Sequence, residues 1–411
     1  MFRNVCAFLF SLFIVSTVIS QDWNGIPVPA ILEGDDTWVL QTDVSDDFNY
    51  SAPASSKGST FLGKWDDWYH NPWSGPGSTE WSRTHSSVSG GELKLTASRY
   101  QTNKVNAGII HSNQTVQFPV YIEAKVKIMN SVLANGAWLL SPDDTQEIDF
   151  MEGYGADFSE SANEDLTWWA QRMHISHHVF IRSPFQDWQP NEFGSGPGNP
   201  SIHPTWITRN DGAGNILWKD NYHTYGVYWK DPWHLYYFID GIQVTKREGK
   251  DQIDPVFFTN SRTPGDSNDD TRTGLSKAMD IIFSVEEQGW RTANGKSVIP
   301  TDTELANTVN HTMRIDWIRT YKPNSSLSVN DLNKRVVVEM HPNPSNGIVK
   351  LDSNSLIKNI NCFDIKGQLV VSENYNDASV VFNIEKLVKG IYLLKIYSEN
   401  GMLSYKKLIK N

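Results

Sequence analysis

The chain has 411 residues, which exceeds one average domain and is long enough to bury a large core. It is acidic and aromatic, with 36 Lys and Arg against 47 Asp and Glu, a formal net charge of −11, and 12% Phe, Trp and Tyr. The negative charge argues against a nucleic-acid partner, because a phosphate backbone is bound by clustered lysines and arginines.

The first twenty residues, MFRNVCAFLFSLFIVSTVIS, have the pattern of a secretory signal peptide. Arg3 precedes an apolar run from Val5 to Ile19, and small residues precede a cleavage site after Ser20. A membrane anchor is the weaker alternative, because the run is short and the polar sequence QDWNG follows at once. We predict an exported protein, secreted or attached to the cell surface, with no membrane span. Cleavage removes Cys6 and leaves Cys362 alone, so no internal disulfide can form.

The tryptophans divide the chain into two parts. All sixteen lie between Trp23 and Trp317. The charge also changes sign, because residues 334–411 hold eleven Lys and Arg against seven Asp and Glu. Between the parts, KPNSSLSVNDLN is polar and poor in large apolar residues, as in a linker. We place the boundary near Pro323, with a first domain at 21–323, a linker at 324–334 and a second domain at 335–411.

Short alternating apolar runs recur along residues 21–323, each closed by Gly, Pro, Asn or Asp. They are GELKLTASR, YIEAKVKIM, EIDFME, MHISHHVFI, YHTYGVYWK, HLYYFIDG, MDIIFSVE and MRIDWIRTY. A period of two with frequent Tyr, Trp, Val and Ile favours strands over helices. The FIDG sequence at 238–241 predicts a hairpin tip. Together the runs predict an all-β sandwich.

Three acids stand in one of these runs, EIDFME. On a regular strand Glu147 and Asp149 share a face, whereas Glu152 points away. One extra residue at Phe150–Met151, a β-bulge, would return Glu152 to that face, and bulges are frequent beside active sites. Two glutamates leaning inward on a concave sheet would then bring their carboxyls to roughly 5 to 6 Å, the separation of a retaining glycosidase.

In a retaining glycosidase the two carboxyls of such a pair have different roles. One ionised carboxylate acts as nucleophile, and one protonated carboxyl acts first as acid and then as base. Asp149 would orient Glu147 and help to hold Glu152 protonated in the free protein, because like charges at short range separate pKa values. The residues alone leave open an alternative, namely an acidic, solvated strand or a cation site.

The pattern E-x-D-x-x-E resembles the bulged signature of glycoside hydrolase family 16. Further blocks resemble the marine bacterial β-agarase branch of that family: WNGIPVPA at 23–30, SDDFNY at 45–50, NPWSGPGSTEW at 71–81, HISHHVFI at 174–181 and DWIRTYKP at 316–323. The resemblance implies a concanavalin-like, curved jelly-roll β-sandwich with a sugar cleft across its concave sheet. It also implies that Glu147 is the nucleophile, Glu152 the acid/base, and Asp149 the residue that supports both.

The same resemblance implies a set of sugar-binding residues. Trp73 and Trp138 match positions that line the agarase cleft, where an indole ring can stack on the C–H face of a sugar. Arg172, His178 and Glu286 match polar cleft positions. The other tryptophans are expected in the core.

Three places in the sequence carry residues that can ligate a metal. His174 and His178 would lie about 13 Å apart on a strand, with His177 on the opposite face, which is too spread for zinc. The acidic stretch DSNDDTRTG at 266–274 lacks the glycine and closing glutamate of an EF-hand and predicts a solvated loop. The resemblance implies a structural calcium at Asp47, the backbone of Gly91 and Asp316. Catalysis is expected to need no cofactor.

The C-terminal segment has its own pattern. HPNPSNGIVKL, DIKGQLV, GIYLLKI and KKLIKN, within residues 341–411, resemble the sorting domain of cargo of the type IX secretion system. We expect a small β-sandwich and, as partner, the type IX machinery. A carbohydrate-binding module is the alternative, but the segment has no tryptophan for a stacking platform.

These patterns predict a secreted, monomeric, endo-acting retaining glycoside hydrolase that cleaves β-1,4 galactosidic linkages of agarose. A β-porphyranase acting on the sulfated polymer is the first alternative, with Arg83 or Arg172 as a sulfate ligand. A non-catalytic, lectin-like jelly roll is the second. The intact E-x-D-x-x-E pattern argues against it, because a binding module has no need of two opposed carboxyls.

Overall fold

The structure is a computed structural model that describes residues 21–34, 36–183, 185–190, 205–208, 215–254, 272–293, 296–324, 338–365, 368–398 and 403–411. The chain divides into two compact units between Asn324 and Ser325. The predicted signal peptide at 1–20, residues 325–334 of the predicted linker and residues 266–271 of the acidic stretch lie outside the described residues. Within the described part, no helix is long and apolar enough to cross a membrane.

Short strands are the main regular elements of the first unit. In chain order they are β1 Trp38–Leu40, β2 Trp65–Asp66, β3 Thr79–Trp81, β4 Ser86–Val88, β5 Leu93–Gln101, β6 Lys104–Ala107, β7 Ile109–Ser112, β8 Val120–Lys127, β9 Ala134–Leu140, β10 Gln146–Gly153, β11 Phe158–Ser159, β12 Glu164–Asp165, β13 Met173–Arg182, β14 Phe185–Trp188, β15 Trp206–Ile207, β16 His223–Asp231, β17 His234–Ile239, β18 Ile242–Glu248, β19 Asp280–Glu286, β20 Thr292–Ala293, β21 Lys296–Ser297 and β22 Thr312–Pro323. The helices are one turn long: α1 Gly58–Leu62, α2 Thr167–Ala170, α3 Lys250–Ile253 and α4 Asp302–Ala306. Each of the eight predicted runs overlaps one of these strands.

Two sheets form the sandwich. The ten-stranded sheet has the order β18-β17-β16-β8-β22-β5-β6-β3, with β1 beside β22 and β4 beside β5. The eight-stranded sheet has the order β14-β13-β10-β9-β19-β7-β2, with β15 beside β13. Apolar side chains from both sheets, such as Ile122 of β8 and Leu139 of β9, belong to one buried core cluster. The predicted all-β sandwich is confirmed.

Local sequence explains several of these strands and turns. Along β5, Leu93, Leu95 and Ala97 are buried in alternation with more exposed neighbours, as the period of two requires. Between β17 and β18, Asp240 and Gly241 have φ of 49° and 76°, the left-handed conformation that an Asp-Gly hairpin turn adopts. The predicted hairpin tip is therefore confirmed.

A buried ion pair fixes the N-terminal segment to the ten-stranded sheet. Arg319 of β22 is fully buried, and its Nε donates to a carboxylate oxygen of Glu123 on β8 at 2.7 Å. The same guanidinium donates to the carbonyls of Ile26 and Pro27. Because every face of the arginine is occupied, the charge is satisfied without water.

The second unit is a five-stranded antiparallel sheet of β23 Val338–His341, β24 Ile348–Phe363, β25 Leu369–Asn383, β26 Gly390–Ser398 and β27 Leu403–Lys410. The long β24 pairs with β23 along its first half and with β26 along its second half, with an irregularity between Asp352 and Ile357. Both halves contribute to one core, which includes Leu351 and Ile360. Cys362 lies in that core, where burial raises the pKa of its thiol to about 12.

Candidate active site

The predicted bulge is present in β10. Opposite β10, on β13, His178 faces Glu147 and His174 faces Glu152, while the pairing shifts register between Asp149 and Glu152. The two glutamates are five residues apart and the two histidines four, so β10 carries one extra residue. The bulge therefore places both glutamates on one face of the sheet, and each glutamate has a histidine as its neighbour on β13.

This face of the eight-stranded sheet forms the floor of a cleft of about 1100 Å³. Glu147, Asp149 and Glu152 line it at the centre, on β10. Four of the five predicted sugar-binding residues also line the cleft, namely Trp73, Trp138, His178 and Glu286. The three acids and these four side chains thus meet in one groove.

The prediction for Arg172 is not met, because this residue is absent from the described cleft lining. Its guanidinium lies 4.4 Å from the ring centroid of Trp168 and donates to the backbone oxygen of that residue. Arg83 also lies away from the cleft. Its guanidinium donates to the carboxylates of Asp66 and Asp67, so its charge is already paired.

His178 adjoins Glu147 and contacts two further carboxylates. The Nε2 atom of His178 lies 3.2 Å from Asp149 Oδ2 and 3.9 Å from Glu147 Oε1, and its Nδ1 lies 2.6 Å from Asp187 Oδ1. Burial opposes the charged ring, but hydrogen bonds to Asp149 and Asp187 outweigh burial and raise the pKa of His178. Burial and the charge of Asp149 raise the pKa of Glu147, while His178 opposes this shift.

The surroundings of Glu152 favour its ionised form. Burial acts to raise its pKa, but the neighbouring His174 and a hydrogen bond from Tyr154 outweigh burial and lower the pKa to about 2. His174 Nδ1 lies 3.1 Å from Glu152 Oε2, and the Tyr154 hydroxyl donates to Oε1. The lowered pKa runs against the expectation that Glu152 is held protonated in the free protein, because His174 and Tyr154 outweigh the effect of burial.

The indole of Trp138 is fixed from two sides. Its Nε1 donates to Ser284 Oγ of β19 at 3.1 Å, and its ring lies against that of Tyr69, with centroids 6.3 Å apart. Gly136, two residues earlier on β9, leaves room for the ring. A Cβ there would lie 3.1 Å from Trp138 Cδ1 and from Ser284 Oγ, which is tighter than ordinary packing.

Glu286 faces the cleft from the end of β19. Burial raises the pKa of its carboxyl to about 7, against the opposing effect of a hydrogen bond from Gln288. Gln288 Nε2 donates to Glu286 Oε1 at 2.9 Å. The charge of this predicted sugar-binding residue therefore changes near neutral pH.

Several functional residues were missed by the sequence analysis. Tyr154 and Asp187 contact the groups around the catalytic acids, and three further aromatic side chains line the cleft beyond Glu152: Trp169, Trp206 and Trp290. Tyr154 follows Glu152 by two residues, so strand periodicity already indicated a shared face. Asp187 had no such signal, because its contact depends on the register of the β13–β14 hairpin.

The three histidines of β13 do not gather around a metal. His177 is fully buried on the core face, where its Nε2 lies 3.0 Å from the carbonyl oxygen of Ile253. Within the described residues, the group of acids and histidines with ligand atoms close enough for a metal is Glu147, Asp149 and His178. In that group both ring nitrogens of His178 already face carboxylates, Nε2 that of Asp149 at 3.2 Å and Nδ1 that of Asp187 at 2.6 Å, so a metal bound to the ring would have to replace one of these contacts.

The positions expected to bind calcium do not form one site among the described contacts. The side chain of Asp47 accepts from the backbone N–H of Asn49, and Gly91 approaches the side chain of the same asparagine. The carboxylate of Asp316, however, is paired with Lys125 at 2.8 Å. A cation at Asp316 would have to displace this ammonium group.

Comparison with known proteins places this geometry in a family. Residues 38–323 match the family described as Beta-porphyranase A-D, GH16 domain. The chain belongs to glycoside hydrolase family 16. It is therefore a glycoside hydrolase. Residues 339–411 match the family described as Secretion system C-terminal sorting domain, and the enzyme is secreted or displayed at the cell surface.

Relatives in the family include two curated agarases. Beta-agarase B of Zobellia galactanivorans is 52% identical over 74% of this chain and 83% of its own length. A Beta-agarase of Phocaeicola plebeius is 43% identical over 74% of this chain and 90% of its own length. A solved structure, the inactivated mutant of beta-agarase B in complex with agaro-octaose, is 52% identical, with a TM-score of 0.66, and the match covers 74% of this chain and 99% of that one.

Proposed function

We propose that the enzyme is an endo-acting β-agarase that cleaves β-1,4 galactosidic linkages of agarose with retention of configuration. The observation that carries the proposal is the bulged strand β10, which presents Glu147, Asp149 and Glu152 to an open groove with Trp73 and Trp138 along it. An endo-acting enzyme binds an internal segment of a polysaccharide, and the aromatic side chains that line this groove offer several places for sugar rings to stack. The relatives named beta-agarase support agarose as the substrate.

In the proposed reaction, Glu147 attacks the anomeric carbon while Glu152 protonates the leaving oxygen, giving a glycosyl-enzyme that water then hydrolyses. The imidazolium of His178 lies beside Glu147 and Asp149 and stabilises negative charge there. Trp138, held by Ser284, orients the sugar ring next to the nucleophile.

In the free enzyme, the pKa shifts of the two glutamates oppose the roles that the first step needs. The pKa of Glu147 is raised and that of Glu152 lowered, whereas the first step needs an ionised Glu147 and a protonated Glu152. A bound sugar chain replaces water around Glu152, and loss of water raises the pKa of a carboxyl. We propose that substrate binding transfers the proton to Glu152 in this way.

The charges of the cleft favour neutral agarose over sulfated porphyran. Among its described lining residues are six acidic side chains, on Asp144, Glu147, Asp149, Glu152, Asp187 and Glu286, against one arginine, Arg182, and His178, whose pKa is raised. A sulfate group would be repelled by this excess of negative charge. The two arginines considered as sulfate ligands, Arg83 and Arg172, lie outside the described lining.

The role assignment is tested by chemical rescue. We expect Glu147→Ala and Glu152→Ala each to lose at least about 100-fold in agarose hydrolysis. Added azide should then give an α-glycosyl azide with Glu147→Ala and a β-glycosyl azide with Glu152→Ala. The reverse stereochemistry would exchange the two roles.

Reducing-end release by the wild-type protein on agarose and on porphyran, measured side by side, tests the substrate.

Two further features are proposals. We propose that the enzyme acts as a monomer, and light scattering coupled to gel filtration tests this. We also propose a structural calcium at Asp47, the backbone of Gly91 and Asp316, where the cation would take the place of the Lys125 ammonium at Asp316. A lower Tm in excess chelator, restored by calcium, would support it.

A further inference from the structure

One wall of the cleft is a segment without regular structure. Residues 67–78 connect β2 to β3 and contain no described strand or helix. Tyr69, Asn71 and Trp73 of this segment line the cleft, and Trp73 is 44% exposed. Because no strand pairing holds these residues, their position must be set by side-chain contacts.

Tyr69 and Trp73 lie against each other, and Trp73 lies against Trp81, while a single carboxylate makes hydrogen bonds to three residues of the wall. Asp144 accepts from the Tyr69 hydroxyl at 3.0 Å and from Asn71 Nδ2 at 3.0 Å, and it lies 2.7 Å from His70 Nε2. Three consecutive residues of the wall therefore bond to one acidic side chain. Asn71 Oδ1 in turn accepts from the backbone N–H of Trp73 at 2.9 Å, which extends the contact to the exposed indole.

Asp144 is well placed to hold this wall. It lies in the turn between β9 and β10, the strands that carry Trp138 and Glu147. Its φ is 55°, in the left-handed region, which Asp and Asn tolerate better than other residues with a side chain. Arg182 of β13 donates to its backbone oxygen, so the turn is also fixed from the neighbouring strand.

The second acid of the arrangement is Asp280, at the start of β19. Its Oδ2 lies 2.8 Å from His70 Nδ1, so both ring nitrogens of His70 face carboxylate oxygens. A carboxylate accepts but does not donate, and neutral imidazole has one N–H. Both contacts can form together only when His70 carries a positive charge. The side chain of His70 is only 6% exposed, so both ion pairs are shielded from water.

We propose that Asp144, His70 and Asp280 form a charged latch that holds Tyr69, Asn71 and Trp73 in the position that binds the galactose-based chain. The inference rests on the proposed function for the identity of the ligand. The three latch residues act through the wall and are positioning residues, so they affect substrate binding more than bond cleavage. The ligand class is a neutral, extended polysaccharide segment stacked on Trp73.

The latch has a pH dependence of defined sign. Burial acts to lower the pKa of His70, but Asp280 and Asp144 outweigh burial and raise it. The other groups that face this cluster are Tyr69, whose hydroxyl bonds to Asp144, the ring of His111, whose centroid is 6.3 Å away, and Arg182. Because the pKa of His70 is raised, its ion pairs with Asp144 and Asp280 stabilise the wall at lower pH. This stabilisation is lost as the pH rises through the folded-state pKa of His70.

The test uses the full secreted chain and the substitution Asp144→Asn. Asparagine tolerates the left-handed backbone but removes the charge. We expect KM on agarose to rise about tenfold, with kcat within about twofold of wild type, since a charge-assisted bond is lost from the wall and not from the reacting atoms. Asp143→Asn is the matched control. It alters the adjacent residue of the same turn, which pairs with Lys277 and does not line the cleft.

A second readout does not depend on agarose cleavage. Hydrogen exchange of the backbone amides of residues 69–73, above all that of Trp73, should lose protection in Asp144→Asn and not in Asp143→Asn. In the wild type, protection should fall as the pH rises through the raised pKa of His70. If Asp144→Asn does not fold, Asp280→Asn removes the other carboxylate charge that faces His70, and this variant is measured in the same way.

The outcomes separate the latch from the proposed function. Unchanged KM and unchanged exchange in Asp144→Asn would overturn the latch. A fall in kcat without a change in KM would also overturn it, because the acid would then act on the reaction itself. If the wild type fails to cleave agarose, the proposed function fails, while loss of exchange protection at Trp73 would still support the latch.

Discussion

The hydroxyl of Tyr154 should control the titration of Glu152. Tyr154 is buried, and its hydroxyl donates to Glu152 Oε1. The pKa of Glu152 is lowered from 4.5 to about 2, a difference of 2.5 units, which corresponds to roughly 3 kcal/mol in favour of the ionised form. A hydrogen bond to a charged group contributes about 1.5–3 kcal/mol, or roughly one to two pKa units. Tyr154→Phe should therefore raise the pKa of Glu152 to about 3 or above.

The assay is the pH profile of kcat/KM for reducing-end release, which reports ionisation in the free enzyme. Because Glu152 is the group with the lower pKa, its protonation sets the acidic limb, and that limb should move upward by at least about one pH unit in Tyr154→Phe. Tyr69→Phe is the control, since Tyr69 is a cleft tyrosine that donates to Asp144 instead. Circular dichroism at each pH verifies folding. An acidic limb that stays in place, or moves equally in both variants, would refute the reasoning.

Three further predictions concern the cleft and the domain boundary. Ser284→Ala removes the acceptor of the Trp138 indole N–H and should raise KM on agarose about five- to tenfold. Ser276→Ala is the control, because Ser276 lies outside the described cleft lining. In the wild type, KM should fall as the pH rises through about 7, because the ionised carboxylate of Glu286 accepts hydrogen bonds from sugar hydroxyls more strongly than the protonated acid does. Glu286→Gln should remove this pH dependence of KM. If the dependence persists in the variant, another group causes it. Truncation after Asn324 should leave kcat/KM within about twofold of the full chain, and a larger loss would give the C-terminal unit a part in hydrolysis.

The features that local sequence encodes were predictable. Alternation of apolar residues indicated the strands, and the Asp-Gly pair indicated the hairpin turn at 240–241. The bulge followed from the spacing of the acids, since only an extra residue lets Glu147 and Glu152 share a face. Each of these depends on neighbours within about six positions along the chain.

The features that depend on strand register were not predictable. Nothing in the sequence near Glu152 indicates that His174 is its neighbour, because this contact is set by the pairing of β10 with β13. The pKa of Glu152 was consequently predicted in the wrong direction. Arg172 was misplaced for a related reason. It precedes β13 by one residue, where strand alternation no longer determines the direction of a side chain, and it stacks on Trp168 instead.

The unequal spacing on β10 and β13 also defines a pattern that can be sought in other chains. Two glutamates five positions apart, together with two histidines four positions apart on the adjoining strand, are compatible only with a bulge between the glutamates. Insertion or deletion of one residue in either strand would separate a glutamate from its imidazole and turn later side chains to the opposite face. A search that requires both spacings together would select sandwiches able to pair each carboxyl with an imidazole. It would pass over those in which three acids meet by chance.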